Sequence, residues 1–527
     1  MSDHPLNESF ETTGHWHLPE EPDRKIAGNL SYTSNGTTLD LYEPFQAVRG
    51  TLRTSDTPQE YPIIHGTTRS GEAVTLTNAV RAGGTFNFGS GGLRETERVF
   101  TVWSIVGAHL PAKFHFPRVT FRIPGLQVWL SRQTIEDSHS RDETTRETTL
   151  LYRVRGWREE LHRIDTIDAT VGWGTSRRAT SDPFTSVSVT VSGWLIVEPR
   201  EPMPIAWYID QQSKVTTMLA FLAGTPMSPD LIEASVDEST HRVSILVALR
   251  DAKYCSYKSL SDFFMPRSAM GINLFEALKK WFAIYEKIDK PSQLALSVFG
   301  SEKLWLHIEF LSLIQALEGF HRGLIDGNYM PDADYESVKK ALGDAIPAAV
   351  GSDHRAALRS RIRYGNQYSL QKRLSELADR LSDPIRLAIF GQLSKVPRQW
   401  VDTRNFYTHW DEALSADILN GAGMYYANVR MRHFLRALYL DLMGIPQTAI
   451  LKSLSNGSDP SQHLIQLNAA ERRATNPDDM SGVYARISEH KPSTSTAERA
   501  SSLDVTDSTD EPKNEGSGPG DADQAPD

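Results

Sequence analysis

The chain has 527 residues, with 56 Lys+Arg against 66 Asp+Glu, a formal charge of −10 and 39% hydrophobic content. That length suggests about three domains or two large ones, with cores that need no disulfide or metal staple. One cysteine, Cys255, excludes an internal disulfide and cysteine-rich metal modules, and a net acidic chain excludes generic nucleic-acid binding unless a basic patch supplies it.

The first residues, Met1-Ser-Asp-His-Pro-Leu-Asn-Glu8, lack the positive start and apolar core of an export signal. Short β-branched and aromatic runs then recur between turn signals at spacings of about ten residues, so the first 200 or so residues read as strands. Leu30 to Thr33 leads through Asn35-Gly36 into Thr37 to Tyr42, a hairpin signal. Tyr61 to Thr67 and Ala73 to Thr77 flank Ser70-Gly71 as a second hairpin, and further strands are expected at Val99 to Val106, Val119 to Ile123, Leu126 to Leu130, Thr185 to Val191 and Trp194 to Val197. The apolar run from Met218 to Ala223 is far too short to span a bilayer, so neither export nor membrane embedding is expected and a reducing cytoplasm fits best.

From about Asp262 the pattern turns helical. Glu302 to Ile325 sets Leu304, Ile308, Leu311, Ile314 and Leu317 at spacings of three and four, a stripe that has to pack against other helices. Pro331 breaks it. Further helices are expected at Asp334 to Ala345, Arg355 to Leu381, Pro384 to Leu393, through Trp400 to Trp410, and from Ala416 to Met443. After Ser455 the apolar pattern fades, and Pro492 to Asp527 contains no aromatic residue. The expected fold is an α+β multidomain chain. A sandwich-like β-rich half spans 8–230, a connecting region 231–300, an all-α helical bundle 301–455 and a disordered acidic tail 456–527.

Several chemistries lack their residues. No Gly-Lys pair exists, so there is no Walker A phosphate loop. The glycines at 83, 84, 89, 91 and 92 are followed by Arg94 where a dinucleotide loop needs glycine, and read as a flexible loop. His15 and His17 flank Trp16 on one strand face, yet no third ligand is placed nearby, so they read as a surface strand and no metal or cofactor is expected.

The sharper candidate is Arg404-Asn405-Phe406-Tyr407-Thr408-His409. A metal-free ribonuclease needs a histidine to move protons and a fixed cation to stabilise phosphorane-like charge. About three such Arg-to-His spacings arise by chance in a chain of this composition, and Arg132 to His139 and Arg155 to His162 are two others. Context separates them, because only Arg404 and His409 lie in the helical half. From Arg355 to Arg404 there are eleven Lys+Arg against four acids, and Arg355, Arg359, Arg363, Lys372, Arg373 and Arg398 are candidate phosphate contacts, with a solvated helix face as the bland alternative. Glu318 follows the apolar stripe. It either pairs with Arg322 four residues on or holds Arg404 or an active-site water. Five positions put Arg404 and His409 about 140° apart and about 7.5 Å along a straight helix, so one phosphate meets both only if the helix distorts or two copies face each other across a two-fold axis.

Gly14-His-Trp-His-Leu-Pro19, Ile26-Ala-Gly-Asn-Leu30, Tyr61-Pro-Ile-Ile-His-Gly66 and Ala73-Val-Thr-Leu76 resemble the N-terminal domain of ApeA-type proteins. Phe310-Leu-Ser-Leu-Ile-Gln-Ala-Leu-Glu-Gly-Phe320, Asn366 to Leu374, Arg404 to His409 and Arg430-Met-Arg-His-Phe-Leu-Arg-Ala-Leu438 resemble the ApeA-type HEPN domain. The resemblance covers about residues 8 to 450. It implies an abortive-infection, anti-phage protein with a metal-independent HEPN endoribonuclease acting on RNA, usually as a homodimer through the helical domain. It further implies that His409 is general base or acid, Arg404 stabilises phosphate charge, Asn405 orients the site and Glu318 matches a common first-helix glutamate. The β-rich domain is then the expected sensor of a phage-derived trigger. The alternative is a non-catalytic dimerisation or RNA-binding scaffold, since fold does not establish function.

Overall fold

The computed structural model describes residues 4–46, 59–89, 92–182, 184–237, 241–248, 257, 259–301, 303–391, 395–410 and 412–475. Cys255, Gly91 and the chain from 476 onward lie outside the described residues, and with them the expected disorder of the acidic tail.

The first strands are β1 (Phe10–His17), β2 (Ile26–Thr33), β3 (Gly36–Leu41), β4 (Glu60–Thr68), β5 (Ala73–Gly83), β6 (Phe86–Gly89), β7 (Gly92–Glu95), β8 (Glu97–Thr101) and β9 (Trp103–Val106). They alternate as a half-buried sheet requires: in β2, Ile26, Gly28, Leu30 and Tyr32 turn inward. The order β5-β4-β1-β2-β3-β8 returns to β5, because β8 pairs with β3 through Thr37↔Thr101 and with β5 through Val80↔Phe100. The result is a closed antiparallel ring of six strands, which removes its own edges. Buried Glu97 sits within it, accepting from the Tyr61 hydroxyl at 2.6 Å and the Phe45 amide at 3.0 Å.

β5 is long enough to serve two partners on one edge. Its later residues pair with β8, while Val74 to Thr77 pair with β9, where an open sheet begins. That sheet continues through β17 (Arg242–Val247), β16 (Leu231–Ser235), β10 (Arg118–Arg122), β15 (Ser186–Pro199), β14 (Ala169–Asp182) and β13 (Glu160–Ile164). The sandwich-like expectation is thus met by one connected sheet, part closed and part open. β11 (Ile135–Arg141) and β12 (Thr148–Val154) form a separate exposed hairpin. β14 and β15 pair from Ala169↔Pro199 to Asp182↔Ser186, and their outer half stands in solvent.

The structure corrects several sequence expectations. Val99 to Val106 is two strands, β8 and β9, parted at Val102. Leu126 to Leu130 is no strand but a single turn, α1 (Leu126–Trp129), which starts from Gly125 at φ 81° and buries Leu126 and Trp129. The region 231–300 is no connector, because β16 and β17 lie inside the sheet and α3 (Leu274–Phe299) carries core residues.

α2 (Ile205–Ala223) joins the two halves. Phe221 stacks on Tyr439 with ring centroids 3.8 Å apart, and Trp281 of α3 donates its indole N–H to the Lys214 carbonyl at 2.8 Å. Beside them run α4 (Leu306–Leu324), α5 (Asp332–Asp344), α6 (Ser352–Arg363), α7 (Leu370–Asp379), α8 (Asp383–Phe390), α9 (Arg398–His409), α10 (Gly421–Leu442), α11 (Gln447–Ser455) and α12 (Asp459–Thr475). The described residues through Asn468 thus form one unit, with the β-rich and helical halves sharing a core. Two helix boundaries also differ from expectation. Arg355 to Leu381 is two helices, α6 and α7, separated at Tyr364 to Ser369, where Asn366 hydrogen-bonds the Met330 backbone. Ordered structure passes 456 as well, since Leu464 and Leu467 of α12 are buried.

Gly319 and Gly323 bring α4 close to α3. A Cβ on Gly323 would meet the Lys287 carbonyl oxygen at 2.2 Å, and one on Gly319 would meet Pro291 at 3.3 Å. Arg436 of α10 crosses to the other half by donating to the Gly224 carbonyl at 3.0 Å, stacked on Phe264 and Phe299. Burial pushes its pKa down to about 9.

Removing the Phe221 ring empties the junction of both halves. Phe221→Ala should cost about 3–5 kcal/mol, measured by denaturant unfolding, with β-rich and helical signals lost in one shared transition.

Candidate active site

α9 is built for display. Its Trp400, Val401 and Thr403 are buried, while Arg404 and Asn405 are half-buried and His409 is exposed at the helix end. Trp410 stops the helix in the left-handed region at φ 53°, its amide donating to the Phe406 carbonyl at 2.6 Å. The helix is unbroken from Arg398 to His409, so the separation expected of a regular helix applies.

Arg404 faces α4. Its Nη2 lies 3.6 Å from Glu318 Oε2, and its Nη1 donates to Asn405 Oδ1 at 3.2 Å. Glu318 also accepts from Arg322 at 3.0 Å, so one carboxylate serves two guanidiniums and both sequence readings of Glu318 meet in one side chain. Beneath this pair, buried His321 contacts Glu376 Oε2 through Nε2 at 2.9 Å and Arg373 Nη1 through Nδ1 at 3.0 Å. Arginine has only donors, so Nδ1 must accept and Nε2 carries the proton given to Glu376. Burial holds His321 below its ordinary pKa, aided by Arg373 and opposed by Glu376.

The candidate phosphate contacts fall into different environments. Arg373 is 2% exposed and donates to His321, the Tyr368 carbonyl and the Gly327 carbonyl, which corrects its reading as an RNA contact. Arg355 caps the chain before α6 through the Ala348 and Val350 carbonyls. Lys372 pairs with Glu376 and covers Tyr368, while Arg398 pairs with Asp402. Arg359 and Arg363 remain exposed and line a cleft of about 690 Å³ between α5 and α6 with Lys339 and Lys340.

Two features escaped the sequence. The apolar stripe is uncovered at its start, where Leu304 and Ile308 are exposed, and Trp305, His307, Tyr407 and Trp410 form an aromatic path from the start of α4 to the end of α9. Periodicity identified the stripe but not which part of it lacks a neighbour. The second is a histidine cluster, His17, His65 and His109, in the β-rich half, invisible because its members are far apart in sequence. The other Arg-to-His spacings have structural roles: Arg132 pairs with Glu160, and His162 stacks on Phe275.

Residues 11–281 match the family model described as ApeA N-terminal domain 1, and residues 311–449 match the one described as Apea-like HEPN. The first model reaches into α3, consistent with a sheet and helices that share a core. No curated protein and no solved structure matches the chain. Among the described residues no helix is long and apolar enough to cross a membrane.

Arg373→Ala takes a donor from buried His321 Nδ1 and from the Tyr368 carbonyl, while the Gly327 carbonyl keeps the Tyr368 amide. It should cost about 2–4 kcal/mol, whereas Arg359→Ala should change stability by no more than about 0.5 kcal/mol in the same denaturant titration. Burial also lowers His433 well below its ordinary value, aided by Arg436. The unfolded chain therefore binds more protons than the fold once pH drops below about 6.5, and stability should fall on acidification from about pH 7.5 to about pH 5.5. Urea midpoints at the two pH values check this, and His433→Gln should flatten the dependence.

Proposed function

This chain belongs to the ApeA-type family, and on that premise we propose that it is an anti-phage defence protein whose helical half is a metal-independent HEPN endoribonuclease. The observation that carries the proposal is α9 itself. Arg404, Asn405 and His409 occupy one uninterrupted helix within the matched region, with Arg404 held by Glu318 and His409 open to solvent.

His409 takes the proton of a ribose 2′-hydroxyl, and that oxygen attacks the adjacent phosphorus. The bond to the 5′-oxygen breaks, leaving a 2′,3′-cyclic phosphate, and the departing oxygen receives a proton from a second acid. Arg404 presents its N–H fork to the non-bridging oxygens, where charge builds. Asn405, hydrogen-bonded to Arg404, orients that fork.

One helix sends these groups in different directions, so the site is completed by a second copy whose α9 faces the first, and its His409 is the second acid. The uncovered Leu304 and Ile308, with 78% exposed Trp305 and 72% exposed Trp410, support such a homodimer through the helical domain. Arg359 and Arg363 supply exposed positive charge for the RNA backbone. The β-rich half then receives the phage-derived trigger, and the protein works in the cytoplasm, where its substrate is. The competing scaffold reading rests on the Arg404–Glu318 contact, which by itself gives Arg404 a packing role.

Overexpression of wild type against His409→Ala separates the two. A nuclease loses about 10²–10⁴ of its rate with its acid–base group, so the variant should restore growth and leave cellular RNA intact. Equal toxicity of both proteins with undegraded RNA supports the scaffold.

A further inference from the structure

His17 ends β1 and lies directly opposite His65 of β4 in the antiparallel register His17↔His65. Facing side chains at such a position are close neighbours. Gly66 follows His65 and has to be glycine, because a Cβ there would meet Trp16 at 2.1 Å. The third ring comes from the segment after β9. Gly107, at φ 119°, turns the chain, and Thr75 then brackets it, donating to the Ala108 carbonyl at 2.8 Å and accepting from the Leu110 amide at 3.0 Å. His109 is held between those two contacts.

One ring nitrogen from each of His17, His65 and His109 lies within 4.8 Å of the others, and among the described residues this is the one group of its kind. Each ring is also tied to a backbone carbonyl through a nitrogen: His17 Nδ1 to Leu18 at 3.1 Å, His65 Nε2 to Leu110 at 3.0 Å and His109 Nε2 to Gly66 at 2.8 Å. A carbonyl only accepts, so each of those nitrogens carries the proton. That leaves His17 Nε2, His65 Nδ1 and His109 Nδ1 as lone-pair donors. Metal-binding histidines have this arrangement, with one nitrogen on the ion and the other fixed by an outer acceptor. The rings also touch one another, His65 stacked on His109 with centroids 4.7 Å apart and His17 edge-on to both, and a cation held among their nitrogens would add a directional attraction to that packing.

We infer that His17, His65 and His109 bind one divalent transition-metal ion of the zinc class, with its fourth position open to solvent beside the exposed His109. Imidazole nitrogen suits such ions and not magnesium or calcium, which take oxygen. Ligands about 2.1 Å from a tetrahedral ion stand about 3.4 Å apart, a closure within reach of side-chain rotation. The ion ties together the end of β1, the body of β4 and the segment leaving β9, where the closed ring gives way to the open sheet. The sequence pointed only to His15 and His17. His15 instead lies opposite Ala27 and Thr67 and is outside the cluster.

The full chain, purified without a histidine tag, should contain one zinc per chain by elemental analysis. After chelation, added zinc should raise the melting temperature until one equivalent is bound, and cobalt(II) should give the intense visible band of a four-coordinate site. His109→Ala, on an exposed residue, should keep the wild-type circular dichroism and lose all three signals, while His15→Ala should keep them. Wild-type protein with neither a cobalt band nor a zinc-dependent melting shift overturns the proposal. So does His109→Ala binding zinc and cobalt as the wild type does, which marks adventitious surface binding.

Discussion

The close approach of α4 and α3 governs the helical half. Two helices usually keep about 8–10 Å between their axes because side chains fill the gap. At Gly323 there is none, and the backbone of α3 occupies the place a Cβ would take. That contact fixes how α4 is turned about its axis. Leu313, Leu317 and Phe320 then enter the core, and the polar residues between them have fixed directions. Glu318 reaches α9 and His321 reaches α7 as a consequence.

The same rotation explains how charge is distributed. A segment with eleven basic residues suggests a broad cationic surface, yet much of it is internal bookkeeping: Arg373 holds His321 and two carbonyls, Arg380 pairs with Asp441, and Arg386 pairs with Asp379 and Asp383. Arginine's five donors make it as useful for satisfying buried carbonyls as for gripping phosphate. Composition does not distinguish the two uses. Position does: Arg359, Arg361 and Arg363 stand exposed on α6, a helix that buries no residue.

Local pattern exposed much of the fold. The Asn35-Gly36 hairpin, the alternation of β2 and the stripe of α4 all encode their structure within a few residues. Features set by distant partners did not show. α2 is buried so widely toward its C-terminal end that it offers no clear polar face, and α1 depends on Gly125 adopting a positive φ. In the candidate site, Arg404, Asn405, His409 and Glu318 were legible because a motif and a helix period mark them. The burial of Arg373 and the meeting of His17 with His65 and His109 were not, because loop position and strand register decide them.

The long hairpin of β14 and β15 has a different logic from the rest. Its inner half lies in the sheet, but beyond Thr175↔Gly193 the two arms are held mainly by each other's backbone. No core measures their length. Adding or deleting two residues on each arm preserves which face every side chain takes, while a change of one reverses them all. This arm can therefore change its reach in steps of whole residue pairs without disturbing its root.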